Sequence, residues 1–292
     1  SDLTNATQGA TTSHTATIDD DDAEPTVTFT AASQSSGTET GTMTITAQLS
    51  ATSARDVSVP FSINGSSTAS DPADYSITAT PISITAGSTT ADITITIAID
   101  TLDEDNETVV VDMGSPTNAT QGATISHTAT IDDDDAEPTV TFTAASQSSA
   151  DETGTMTITA QLSTASGKNV SVPFTINGSS TASDPADYSI TASPISITAG
   201  STTADITITV ATDTLDEDNE TVVVDMGSPT NATQGATTSH TATIDDDDAE
   251  PTVAFTAASQ SSTNETGTMT ITAELSTASG RDVSVPFTIN GS

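Results

Sequence analysis

The chain has 292 residues, 41 of them acidic against three lysines and arginines, and a formal net charge of −38. That balance excludes nucleic acid, whose binding begins with cations neutralising phosphates, and argues against contact with an anionic membrane; no stretch approaches the roughly 20 apolar residues of a membrane-crossing helix. Cysteine is absent, which removes disulfides, thiolate nucleophiles and sulfur-held metals together.

In chain order, residues 1–22 close on Ile18 and the run Asp19–Asp22. The same Ile-Asp-Asp-Asp-Asp sequence returns with its aspartates starting at Asp132 and Asp245, each 113 residues after the last. The chain therefore divides into a tail (1–22) with the last strand and acidic run of a preceding repeat, two full repeats (23–135 and 136–248), and a head (249–292) with the first strands of a following one. The two full repeats differ at only 12 of 113 positions, with a small cluster of differences at Ala51–Asp56 against Thr164–Asn169. A period this long exceeds that of solenoids, so each unit is expected to fold around its own core. The sequence reads as a window on a longer array, with any leader expected elsewhere.

Inside the first repeat, short strands are predicted at Val27–Phe29, Met43–Leu49, Val57–Ile63, Ile82–Ile84, Ile93–Ile99, Thr108–Met113 and His127–Ile131. In the longest of them apolar residues alternate with threonine, serine or glutamine, which is the period of a half-buried strand. Asn64-Gly65, Asp71-Pro72, Ala86-Gly87 and Gly114-Ser115-Pro116 supply turns between them. No window carries a helical apolar pattern. The fold class is thus all-β: tandem Ig-like Greek-key β-sandwiches with a 113-residue repeat.

Each full repeat holds 16 acidic residues and one basic residue. The acids gather between Asp100 and Glu107 and at Asp132–Asp135, with Glu39 and Asp74 standing apart, and a sandwich can bring both clusters to one pole. Carboxylates so concentrated repel unless a cation neutralises them. Oxygen ligands without sulfur or clustered imidazole select Ca²⁺. The Asp-x-Asp-x-Asp-Gly loop of an EF-hand is absent.

These segments give the repeat a family likeness. Glu39-Thr-Gly41, Thr68-Ala69 through Ala73-Asp74-Tyr75, Asp100 through Glu107, and Thr128-Ala-Thr-Ile131 with its four aspartates recur in both full copies. The unit resembles a Calx-β domain, the calcium-binding sandwich of sodium–calcium exchangers and many microbial surface proteins. The resemblance implies calcium ligands at Glu39, Asp74, Asp100, the Leu102 carbonyl, Glu104, Glu107, Asp133, Asp134 and Asp135. In the second repeat it implies Glu152, Asp187, Asp213, the Leu215 carbonyl, Glu217, Glu220, Asp246, Asp247 and Asp248. The tail contributes Asp20, Asp21 and Asp22 and the head Glu265, both as incomplete sites.

All ten asparagines lie in Asn-x-Ser/Thr sequons: Asn5, Asn64, Asn106, Asn118, Asn169, Asn177, Asn219, Asn231, Asn264 and Asn290. They are candidate N-glycosylation sites. His14, His127 and His240 share one repeat position and are expected on a strand surface. No histidine or lysine stands in a pattern that would activate a nucleophile, and almost no aromatic residue could line a sugar subsite beside paired carboxylates, so no enzyme is expected. The expectation is an extracellular, cell-surface stalk or filament stiffened by calcium, whose partners are Ca²⁺, adjacent repeats and sibling chains. An adhesin module binding a host or neighbouring cell is the alternative, and a calcium-sensing regulatory domain the third.

Overall fold

The computed structural model describes residues 4–149, 151–261 and 265–290. Two compact units form: Ser1–Ile99 with Asn106–Asp132, and Asp100–Asp105 with Asp133–Ser292.

The first unit contains eleven strands: β1 (Thr26–Phe29), β2 (Ser33–Ser35), β3 (Thr42–Leu49), β4 (Val57–Val59), β5 (Phe61–Ile63), β6 (Tyr75–Ile77), β7 (Ile82–Ile84), β8 (Thr90–Ile97), β9 (Glu107–Met113), β10 (Thr120–Gln121) and β11 (Ser126–Ile131). One sheet runs β10-β1-β3-β8-β6 and the other β2-β11-β9-β5, with β4 and β7 paired separately. The β3–β8 register sets Met43 opposite Ile95 and Ile45 opposite Ile93. One face of each strand enters a core of isoleucine, valine and leucine closed by Phe29, Phe61 and Tyr75. Each such side chain stabilises the fold by roughly 1.5–3 kcal/mol when fully buried. Threonine covers the wet face, where its β-branch suits an extended backbone.

Three expectations change here. The single strand foreseen at Val57–Ile63 divides at Pro60: β4 pairs with β7, whereas β5 pairs with β9. Proline brings no N–H to a ladder, so the chain changes sheets there. Gly114 fits closely against the break, and a Cβ at that position would lie 3.2 Å from Pro60 Cγ. The isoleucine run ends at Ile97, leaving Ile99 69% exposed.

The third correction concerns His127, which is buried rather than on the surface. Its Nδ1 lies 2.8 Å from the Ala31 carbonyl, and its ring meets Phe29 edge-on. It is in phase with Ala129 and Ile131, the inward residues of β11, so the period of two already placed it inside.

The second unit repeats this architecture in β12 (Thr139–Phe142), β13 (Ser146–Ser148), β14 (Thr155–Leu162), β15 (Val170–Val172), β16 (Phe174–Ile176), β17 (Tyr188–Ile190), β18 (Ile195–Ile197), β19 (Thr203–Val210), β20 (Glu220–Met226), β21 (Thr233–Gln234) and β22 (Ser239–Ile244). Its sheets run β17-β19-β14-β12-β21 and β13-β22-β20-β16 around a separate core. Beyond it, β23 (Val253–Phe255) and β24 (Ala273–Leu275) form a two-stranded ribbon. Residues 4–22 form no strand, although Ser13–Ile18 repeats the sequence of β22 residue for residue. A strand needs a partner, and β22 has two, β20 and β13. No helix occurs among the described residues.

Candidate metal centres

Strand register brings the acid-bearing loops of the second repeat to one end of its sandwich. β14 begins opposite the end of β19, at Thr155 and Thr209, and Tyr188 of β17 faces Val210 there. In the other sheet Glu220, which opens β20, stands opposite Ile244, which closes β22. Glu152 precedes β14, Asp187 precedes β17, Asp213 and Glu217 lie between β19 and β20, and Asp246–Asp248 follow β22.

Two carboxylate triplets result. Glu152 joins Asp213 and Asp248, and Asp187 joins Glu217 and Glu220; within each, one oxygen per residue lies within 4.8 Å of the others. Oxygens sharing a calcium ion at 2.3–2.6 Å stand no more than about 5 Å apart, so the spacing suits one cation per triplet. Burial, followed by the charges of Asp213, Asp246, Asp248 and Glu217, pushes the Glu152 carboxyl up to about 7. Burial, then a hydrogen bond and the charge of Asp187, then Glu217 and Glu152, likewise push Glu220 up to about 7. Glu217 and Asp248 are raised too, by burial first and neighbouring carboxylates second.

Glu152 Oε2 and Asp248 Oδ2 are buried acceptors without a hydrogen-bond partner. Such orphaned oxygens are costly unless a cation meets them. The donor set and these oxygens together fit a hard divalent cation.

Backbone amides hold the neighbouring acids in place. Asp213 Oδ1 accepts from the Leu215 N–H at 2.8 Å, Asp187 Oδ2 from Ser183 at 2.6 Å, Asp246 Oδ1 from Glu217 at 3.1 Å and Asp247 Oδ1 from Glu152 at 3.4 Å. Leu215 is half-buried in the β19–β20 loop. Asp246 and Asp247 thus stand outside the triplets and brace two of their glutamates.

The first repeat carries the same residues 113 positions earlier. Asp74 and Glu107 approach one another within the first unit, and Asp100 and Asp135 within the second. Burial, then Asp133, Asp134, Asp100 and Asp103, raises the Asp135 carboxyl. Glu39 is buried, Leu102, Glu104 and Asp133 are half-buried, and Asp134 is exposed. Asp20–Asp22 and Glu265 are exposed and belong to no triplet.

The sequons divide by what their amide nitrogens already do. Asn64 and Asn177 donate through Nδ2 to Asp112 and Asp225 at 2.6 and 2.5 Å. Asn106 and Asn219 donate to Asp132 and Asp245, and Asn118 and Asn231 to the Asp56 and Asn169 carbonyls. Asn169 is exposed and uses only its Oδ1, accepting from Ala199. Asn5 and Asn290 are exposed, and Asn264 lies outside the described residues.

Sequence reasoning missed Asp103 and Asp216, each 4% exposed and each paired with a cation. Burial lowers the pKa of the Lys168 ammonium, but the hydrogen bond and charge of Asp103, with Asp105 and Asp133, more than offset it and leave the pKa raised. The signal was available: Arg55, Lys168 and Arg281, all the cations of the chain, recur 113 residues apart.

The Calx-beta domain family model matches residues 20–135 and 132–248. No curated protein matches. Among solved structures, CBD12 from CALX1.2 is 16% identical, covers 75% of this chain and 99% of its own, and superposes with a TM-score of 0.35. The calcium binding domain CBD12 of CALX1.1 is 15% identical over 74% of this chain and 98% of its own, with a TM-score of 0.36. The apo-form Calx CBD1 domain is 18% identical over 39% of this chain and 100% of its own, at 0.35.

Proposed function

The chain belongs to the Calx-beta domain family, and from that premise we propose that it serves as a calcium-stiffened stalk or filament segment at the cell surface. The observation that carries this reading is the pair of carboxylate triplets at one pole of a sandwich, with two of their glutamates driven to hold protons up to about pH 7. A bound Ca²⁺ supplies positive charge and oxygen coordination where the chain itself provides only repulsion. Glu152, Asp213 and Asp248 would hold one ion and Asp187, Glu217 and Glu220 another, while Asp246 and Asp247 fix the approach of the glutamates. The terminal aspartates run directly into Ala249-Glu250-Pro251, whose proline restricts φ. Ordering Asp248 therefore orders the chain that leaves the repeat.

Repeats differing at 12 of 113 positions suit a spacer, which needs length rather than a distinctive loop. The large excess of acid keeps such a chain apart from its copies in solution. Calorimetric titration of the full chain should show calcium binding to each full repeat, and chelation should lower the melting temperature and change the solution dimensions. Unchanged melting and scattering on chelation would sink the proposal.

A further inference from the structure

We propose that the tripeptide Ser166-Gly167-Lys168, with its counterpart Ser279-Gly280-Arg281, is a receptor for the acidic loop of the preceding repeat in sequence, and that each repeat's single cation serves this purpose. The loop Asp100–Asp105 belongs to the same compact unit as Lys168, and both copies of the contact lie within that unit.

Asp103 is a buried carboxylate in a chain with 38 more acids than bases. Lys168 Nζ meets its Oδ1 at 2.7 Å and the Glu104 carbonyl at 3.4 Å. Ser166 Oγ donates to the Asp103 carbonyl at 3.1 Å or to its Oδ2 at 3.2 Å, and the Gly167 N–H donates to the same carbonyl at 3.1 Å. The second copy reproduces the grip on the buried aspartate. Arg281 grips Asp216 through Nε and a terminal nitrogen and reaches Asp218, while Ser279 and Gly280 donate as Ser166 and Gly167 do. A carboxylate is buried at tolerable cost only with its charge and its lone pairs met, and here a cation and a hydroxyl meet them.

Glycine lets the glutamate side chain lie close against the receptor. A Cβ on residue 167 would stand 2.3 Å from Glu104 Oε1 and 2.5 Å from its Cγ, and one on residue 280 would stand 2.5 Å from Glu217 Oε1. At the equivalent place the first repeat reads Ser53-Ala54-Arg55. A methyl group at residue 54 thus stands where residues 167 and 280 leave room for a glutamate side chain.

This contact does not rest on the calcium reading, and its test is run in chelator. Hydrogen exchange at the Gly167 amide of the full chain reads the contact directly, with Gly280 as the internal standard. Lys168→Met should speed Gly167 exchange roughly tenfold or more, as local opening does, and leave Gly280 unchanged. Lys168→Arg should restore protection, and Gly167→Ala should speed exchange at residue 167. Asp103→Asn approaches the pair from the other side and should match Lys168→Met. Exchange at residue 167 within twofold of the parent in both Lys168→Met and Asp103→Asn would overturn the proposal.

Discussion

Residues 139–176 and 252–289 carry nearly the same sequence and end in different states. Phe142 is 1% exposed and Phe255 58%; Ile158 is 1% exposed and Ile271 71%. The eight-residue β14 shrinks in the second copy to three residues of β24. Local pattern is equal in the two, so the difference lies in partners. β14 is hydrogen-bonded along seven positions to β19, and β16 to β20, strands for which the region after residue 252 has no counterpart among the described residues. Alternation marks a strand that can form, and its neighbour in the sheet makes it form.

The widest separation between these regions should come from Ile158→Ala against Ile271→Ala. The first empties a packed core and should cost about 2–5 kcal/mol; the second should stay within about 0.5 kcal/mol. Denaturant melts of both variants read the contrast, and equal costs would mean that residues 252–289 are packed in solution.

Calcium should separate the regions next. At a hundredfold excess over Kd, one site stabilises its folded repeat by about 2.7 kcal/mol. Exchange protection in β14 and β19 should therefore rise with calcium, while Val253–Phe255 should not respond.

The sign of the pH effect follows from the raised glutamates. In the calcium-free protein, folded Glu152 and Glu220 keep their protons up to about pH 7, against an ordinary value of 4.5. Their contribution to stability is complete below about pH 4.5 and is lost as pH rises through 7. Calcium-free melting temperature should thus fall from pH 5 to pH 8. Glu152→Gln should flatten that fall and weaken calcium binding, and a melting temperature that climbs over the same range would contradict the assignment.

The smallest effect is expected from Ile99→Thr. The side chain is 69% exposed, and the second repeat already has Thr212 there. A change beyond about 0.5 kcal/mol would show that Ile99 is covered.

The alternation in β3 and β8 was legible because each strand's inward face is apolar along its whole length, and in β9 and β11 because it is apolar past the first inward position, Glu107 and His127 respectively. β2 and β10 were not, because Ser33–Ser35 and Thr120–Gln121 are polar edge pieces defined by parallel pairing to distant strands. Of the site, the acids of both triplets were named from the family likeness. Their grouping depends on register across the sheets, which spacing along the chain does not encode. Asp103 went unnoticed because an aspartate among aspartates gives no sign of being the buried one; only the recurrence of Arg55, Lys168 and Arg281 pointed to it. His127 was readable and misread: composition outweighed its phase in the strand.

The hydrogen bond from Asn177 Nδ2 to Asp225 has a consequence for timing. That nitrogen is the atom a glycosyltransferase would modify, and in the finished sandwich it is already committed to a carboxylate. Such an enzyme and the fold would compete for one atom, and whichever arrived first would decide the outcome. A slowly closing sandwich would carry sugar at Asn64 and Asn177, and a quickly closing one would leave both bare while Asn169 stayed open to modification throughout.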